Sequence, residues 1–292
     1  MTSALRLGLF GLVLAVAAAA AALLGGALDP DPRGEDSQAA AHDAPEAEHA
    51  EGEPAAADAP RGLAIASGGL RLVAENTTLR AGRAERFTFR VVDASGRIVR
   101  NFDVEHERRM HLIVVRRDLS GYQHLHPRQA RDGSWAVRLR LPDPGAHRAY
   151  ADFARDGEPQ TLGVDLTVPG DFEPRSLPEP STTAHAGDDY EVELDDGDMR
   201  FVVRRNGRVL SDIEPYLGAR GHLVVLREGD LAYLHVHPES DASAGRDIRF
   251  GVDYPSEGRY GLFLQFKHEG RVHTAVFTRD TEDKEVSDGH GH

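Results

Sequence analysis

The 292-residue chain has no cysteine, three methionines and one tryptophan. Without thiols there can be no disulfide framework, no thiolate metal site, no cysteine nucleophile and no cysteine-borne lipid anchor. Lysine is almost missing too: Lys267 and Lys284 are the two lysines among 34 basic residues. Basic charge falls short of acidic charge, 34 against 48, for a net charge of −14. The deficit is local. Ten acidic residues meet one arginine in 29–60, and five meet one lysine in 280–292, so 61–279 is close to neutral. No basic stripe is left to neutralise a phosphate backbone, which excludes nucleic acid as a partner.

One long apolar run is present. Leu7 to Leu28 is uncharged for 22 residues, enough for a helix to cross a bilayer. Arg6 precedes it and acidic residues follow, so 1–28 reads as a transmembrane anchor with the body on the extracytoplasmic side. A cleaved signal segment is the alternative, and it would make the protein secreted. Residues 29–60 are mostly Ala, Pro, Asp and Glu, a composition predicting a disordered acidic linker. A disordered tail is expected over 282–292.

From 61 onward the pattern is that of β-structure. Phe87, Phe89 and Val91 alternate with Arg86, Thr88 and Arg90, as in a half-buried strand. His111–Arg116 and Tyr122–His126 flank the turn formers Asp118, Ser120 and Gly121, which predicts a hairpin. The body also repeats itself. His111-Leu-Ile-Val-Val-Arg116 returns 111 residues later as His222-Leu-Val-Val-Leu-Arg227, and Tyr122, His124, His126 and Pro127 return as Tyr233, His235, His237 and Pro238. After a two-residue insertion, Pro142, Gly145 and Phe153 return as Pro255, Gly258 and Phe266. The expected fold is therefore all-β: two tandem immunoglobulin-like β-sandwich domains, 61–170 and 178–281, following the anchor and linker.

Each repeat carries the same histidine spacing, His111, His124, His126 and then His222, His235, His237. Residues two apart on a strand share a face, and folding the hairpin brings His111 opposite His126 or one pair beyond it. The pattern predicts three clustered imidazoles per repeat. Such a set suits Zn(II) or Cu(II), whereas the scarcity of methionine and lack of thiolate disfavour Cu(I). Over 106–127 against 217–238, nine of 22 positions are identical and all three histidines are among them. His106, beside Glu107, is a candidate for an added ligand in the first site. The alternative is a structural or partner-binding protein whose histidines are part of the core. Gly-x-Ser-x-Gly, His-Glu-x-x-His and phosphate-binding glycine loops are missing, and Gly229-x5-His235-x-His237 matches only the opening of a cupin motif, so no enzymatic activity is expected.

Two stretches carry a resemblance. Asp103–Leu119 with His124-Leu-His-Pro127, and Pro215–Pro238, are similar to signatures of bacterial secreted or single-pass membrane proteins with tandem Ig-like domains, often given heavy-metal-associated names. The resemblance covers about 62–280 and implies an extracytoplasmic protein tied to metal handling. It also adds His268, in Phe266-Lys-His268, to the candidate metal ligands. The expected function is buffering or delivery of Cu(II) or Zn(II), with no organic cofactor and with an extracytoplasmic protein as a further partner.

Overall fold

The computed structural model describes residues 60–195, 197–234, 236–239 and 246–281. The expected anchor, the acidic linker up to residue 59 and the tail lie outside the described residues, as does His235. No helix among the described residues is long and apolar enough to cross a membrane.

The first repeat opens with a five-stranded sheet ordered β1 (Ala66–Ser67), β2 (Leu70–Ala74), β3 (Ala84–Asp93), β7 (Trp135–Arg140) and β6 (Arg128–Gln129). Its second sheet runs β5 (Gln123–Leu125), β4 (His111–Arg116), β8 (Gly145–Arg155) and β9 (Glu158–Val168). The later half reproduces both. One sheet is β10 (Thr183–Ala186), β11 (Tyr190–Asp195), β12 (Arg200–Arg205), β17 (Asp247–Val252) and β16 (Val236–Pro238), with β13 (Arg208–Val209) beside β12. The other is β15 (Tyr233–Leu234), β14 (Gly221–Arg227), β18 (Gly258–His268) and β19 (Arg271–Thr281). Strand neighbours within the sheets are antiparallel, and each pair of sheets closes into an immunoglobulin-like sandwich.

Alternation along the strands builds the two sandwich cores. Phe87, Phe89 and Val91 of β3 meet Leu112 and Val114 of β4 and Phe153 of β8 in the first. Phe201 and Val203 of β12 meet Leu223 and Val225 of β14 and Leu264 of β18 in the second. The four-stranded sheets do not stop there. All six residues of β4 are buried, because the opposite face is covered as well. Ile113, Val115 and Tyr150 from the first repeat join Val224, Leu226, Tyr233 and Phe263 from the second in a third core, the joint between repeats.

That joint is related by the internal repeat. Tyr122 stacks on Phe263 with ring centroids 4.2 Å apart, and the equivalent Tyr233 lies 5.5 Å from Tyr150, the equivalent of Phe263. The two copies therefore meet as the subunits of a two-fold dimer do, the same patch on each, but within one chain. Crossing hydrogen bonds fix the register: Tyr150 Oη to Leu231 O at 2.6 Å, Arg117 Nη2 to Gly229 O at 2.7 Å and Tyr233 Oη to Asp152 Oδ2 at 3.3 Å. The segment entering the first repeat is sewn into the same joint. Gly62 O accepts from Arg148 Nε and Nη2, and Tyr233 N donates to Arg61 O at 3.0 Å. Gly62 has φ +73°, and a Cβ there would stand 2.6 Å from the Tyr150 ring, so a side chain is excluded.

Candidate metal centre at the joint between the repeats

Register places the histidines. Pairing of Leu112 with Leu125 and of Ile113 with His124 puts His111, His124 and Ile113 on one face, the joint face. His126 continues that face just past β5. A ring nitrogen from each of His111, His124 and His126 lies within 4.8 Å of the others. His111 Nδ1 and His124 Nε2 are 3.0 Å apart. His222 arrives from the other repeat, since β14 shows the joint the alternate residues His222, Val224 and Leu226. Its ring stacks on His124 at 4.6 Å and parallel to His111 at 5.8 Å. His106 stands at the rim, exposed, 5.7 Å from the His222 ring and 6.2 Å from that of His111.

The other candidate ligands lie elsewhere. His237 is exposed on β16, which pairs with β17 in the six-stranded sheet of the second repeat, Val236 facing Val252 and His237 facing Gly251. His268 has the parity of Phe266 and Leu264 on β18, so it occupies the opposite sheet face from the joint. There its Nδ1 shares a 2.9 Å hydrogen bond with Tyr190 Oη, and its Nε2 lies 3.5 Å from Asp212 Oδ1. The sequence expectation of one cluster in each repeat thus meets a different arrangement: among the described residues, His222 joins the first repeat's rings and His237 leaves on another sheet.

Each ring is held by further groups. His111 Nε2 donates to Glu105 O at 3.2 Å, and His124 Nδ1 donates to Gln265 Oε1 at 2.8 Å. Gln265 comes from β18 of the second repeat, directly across from His222. Its register counterpart in the first repeat is Asp152, which faces His111 and accepts from Thr161 Oγ1 and Tyr233 Oη. The Nε2 atoms of His126 and His222 are buried and make no hydrogen bond. Spacing alone did not reveal Gln265 or Asp152. The repeat itself aligns them, and each stands two residues after an aromatic ring that faces the joint, Tyr150 and Phe263.

Desolvation is the dominant electrostatic effect. Burial pulls His111 down to about 4, His124 to about 3 and His126 to about 4, with repulsion from neighbouring cationic forms adding to it. His222 falls well below its ordinary value for the same reason. The four rings are therefore neutral near pH 7, the form in which imidazole ligates a metal. Burial also raises Asp152, against the pull of its Thr161 and Tyr233 hydrogen bonds.

Fold and site together define a tandem immunoglobulin-like protein with a histidine cluster at the joint of its repeats. The chain belongs to the family described as Domain of unknown function (DUF8832), whose profile matches residues 66–170 and again 184–283. No curated protein matches the chain. Among solved structures it is similar to the Escherichia coli adhesin FdeC, at 14% identity over 73% of this chain and 65% of that one, with a TM-score of 0.27. Invasin, a bacterial integrin-binding protein, gives 13% identity over 72% of this chain and 38% of that one, TM-score 0.25. Salmonella alpha-2-macroglobulin gives 13% over 76% and 15%, TM-score 0.28. The chain thus spans less than two thirds of the length of each.

Proposed function

We propose that this protein binds one divalent transition metal ion, Cu(II) or Zn(II), at the joint between its repeats, on the extracytoplasmic side of a membrane. The observation that carries this reading is the convergence of His111, His124 and His126 ring nitrogens within 4.8 Å, with His126 Nε2 buried and unpartnered. A buried polar atom without a partner costs roughly 1–3 kcal/mol, and metal ligation is one way to recover it. Three neutral nitrogen ligands match the donor set preferred by these ions. The role is metal buffering or delivery, without catalysis.

A second reading is favoured by the stacking of His222 on His124 and His111. In it the imidazoles act as packed rings of a structural or partner-binding module, and no metal binds. Calorimetric titration of the purified protein with Zn(II) and Cu(II), beside His111→Ala/His124→Ala, decides between them. One tight site per chain, lost in the double variant, supports the metal centre. Absence of tight binding, or binding indifferent to the variant, leaves the structural reading.

A further inference from the structure

Outer hydrogen bonds decide which nitrogen of each inner ring carries a proton. Glu105 O can only accept, so His111 is protonated on Nε2 and its Nδ1 is a bare lone pair. The Gln265 amide oxygen can likewise only accept, while its NH2 group is turned toward Thr274 Oγ1 at 3.4 Å. His124 is then protonated on Nδ1 and bare at Nε2. These two bare nitrogens face each other across 3.0 Å with no proton between them. Such opposition is unfavourable between neutral rings and favourable around a cation. Two nitrogens on one tetrahedral zinc, each at about 2.0–2.1 Å, stand about 3.3 Å apart.

One of the two locks comes from the other repeat. Gln265 is 7% exposed and belongs to β18, so it reaches His124 only while the four-stranded sheets are docked. Without it, the proton of His124 can move to Nε2 and be donated to His111 Nδ1. That closes the pair into an ordinary hydrogen bond and leaves no bare nitrogen on either facing atom. We propose that Gln265 is a positioning residue that sets the His124 tautomer, so that the second repeat, by docking, switches the centre into its metal-binding form. This rests on the metal-binding reading above. Linkage makes the effect reciprocal: whatever factor docking adds to metal affinity, the bound metal adds to docking.

The test uses the whole protein, as wild type, Gln265→Leu and Gln265→Glu. Nitrogen-15 spectra of labelled histidine in the metal-free protein read the His124 tautomer, and Zn(II) titration reads affinity. The wild type should show the Nδ1–H form. Gln265→Leu should move His124 toward Nε2–H and weaken Zn(II) binding about 10–100-fold, the range for losing an outer partner of a ligating histidine. Gln265→Glu keeps an acceptor in place, and should restore both the tautomer and the affinity to within a few-fold. That rescue separates positioning from damage to the fold. An unchanged tautomer in Gln265→Leu, or wild-type Zn(II) affinity in that variant, overturns the proposal. Lack of Zn(II) binding by the wild type overturns the metal reading instead, and the tautomer measurement still reports whether Gln265 controls His124.

Discussion

The two repeats start from nearly the same motif and use it differently. In the first, β5 stays on β4 through Leu125, and the chain crosses to the five-stranded sheet only at Arg128. In the second, β15 pairs with β14 at Tyr233 and Leu234, and by Val236 the chain already pairs with β17. The earlier crossing carries His237 to an exposed edge while its counterpart His126 remains at the joint. Identical spacing of histidines therefore does not yield identical sites. What the second repeat contributes instead is a wall, His222, and an orienting acceptor, Gln265. One copy supplies the converging rings and the other packs against them and hydrogen-bonds His124, a division of labour that a symmetric joint makes available once the chain is duplicated.

The largest effects should come from breaking the joint itself. Phe263→Ala removes a fully buried ring stacked on Tyr122 and should cost about 3–5 kcal/mol of stability, measured by urea unfolding. If the repeats cooperate through this third core, the whole transition shifts. A shift confined to one of two separate transitions would show that each repeat unfolds alone. Next comes the contrast between equivalent histidines. His126→Ala should weaken Zn(II) binding at least tenfold, or about 1.4 kcal/mol, whereas His237→Ala should leave it unchanged. Equal losses in both variants would return the picture to one site per repeat.

Acid provides a graded probe of the same cluster. The folded values of about 4, 3 and 4 for His111, His124 and His126 lie below the ordinary 6.5. The unfolded chain therefore binds more protons between those values, so stability from these rings is complete above about pH 6.5 and is lost as pH falls toward 4. A single fully desolvated imidazole contributes a slope of up to about 1.4 kcal/mol per pH unit there. Thermal unfolding of the metal-free protein from pH 7 to pH 4.5 should show the decline, and His124→Leu should flatten it. A flat profile in the wild type would mean that the rings are already hydrated.

Much of this was legible beforehand. Duplication, hairpin and shared parity of His111, His124 and His126 follow from the spacing, because strand periodicity leaves little freedom once the turn is placed. The joint was not legible in the same way. The run Leu112-Ile-Val-Val115 has no polar alternation, and such a run marks a strand buried on both faces; spacing cannot say what covers the second face. Gln265 and Asp152 align as repeat partners, yet an amide and a carboxyl in equivalent slots look like ordinary drift until the opposite sheet is seen. The crossing at Val236 depends on competition between two sheets for one strand, which no local pattern in Tyr233–Pro238 announces.

The smallest expected effect isolates a turn shared by both copies. Glu105 bridges Arg108 in the first repeat as Tyr216 bridges Ala219 in the second. Both central residues have positive φ in each: 46° and 63° at His106 and Glu107, 57° and 81° at Leu217 and Gly218. That is the conformation of a type I′ turn, which favours glycine at its second central position. The second repeat has it and the first has glutamate. Holding a side chain in the left-handed region costs roughly 1–2 kcal/mol, while a glycine adds unfolded-chain freedom worth about 0.4–1 kcal/mol. Glu107→Gly should therefore stabilise the protein by about 0.5 kcal/mol in urea unfolding. Because His106 keeps its place at the rim and Glu105 O still accepts from His111, Zn(II) affinity should not move. A loss of affinity here would show that the strained turn, rather than the docked second repeat, holds His111 in register with its neighbours.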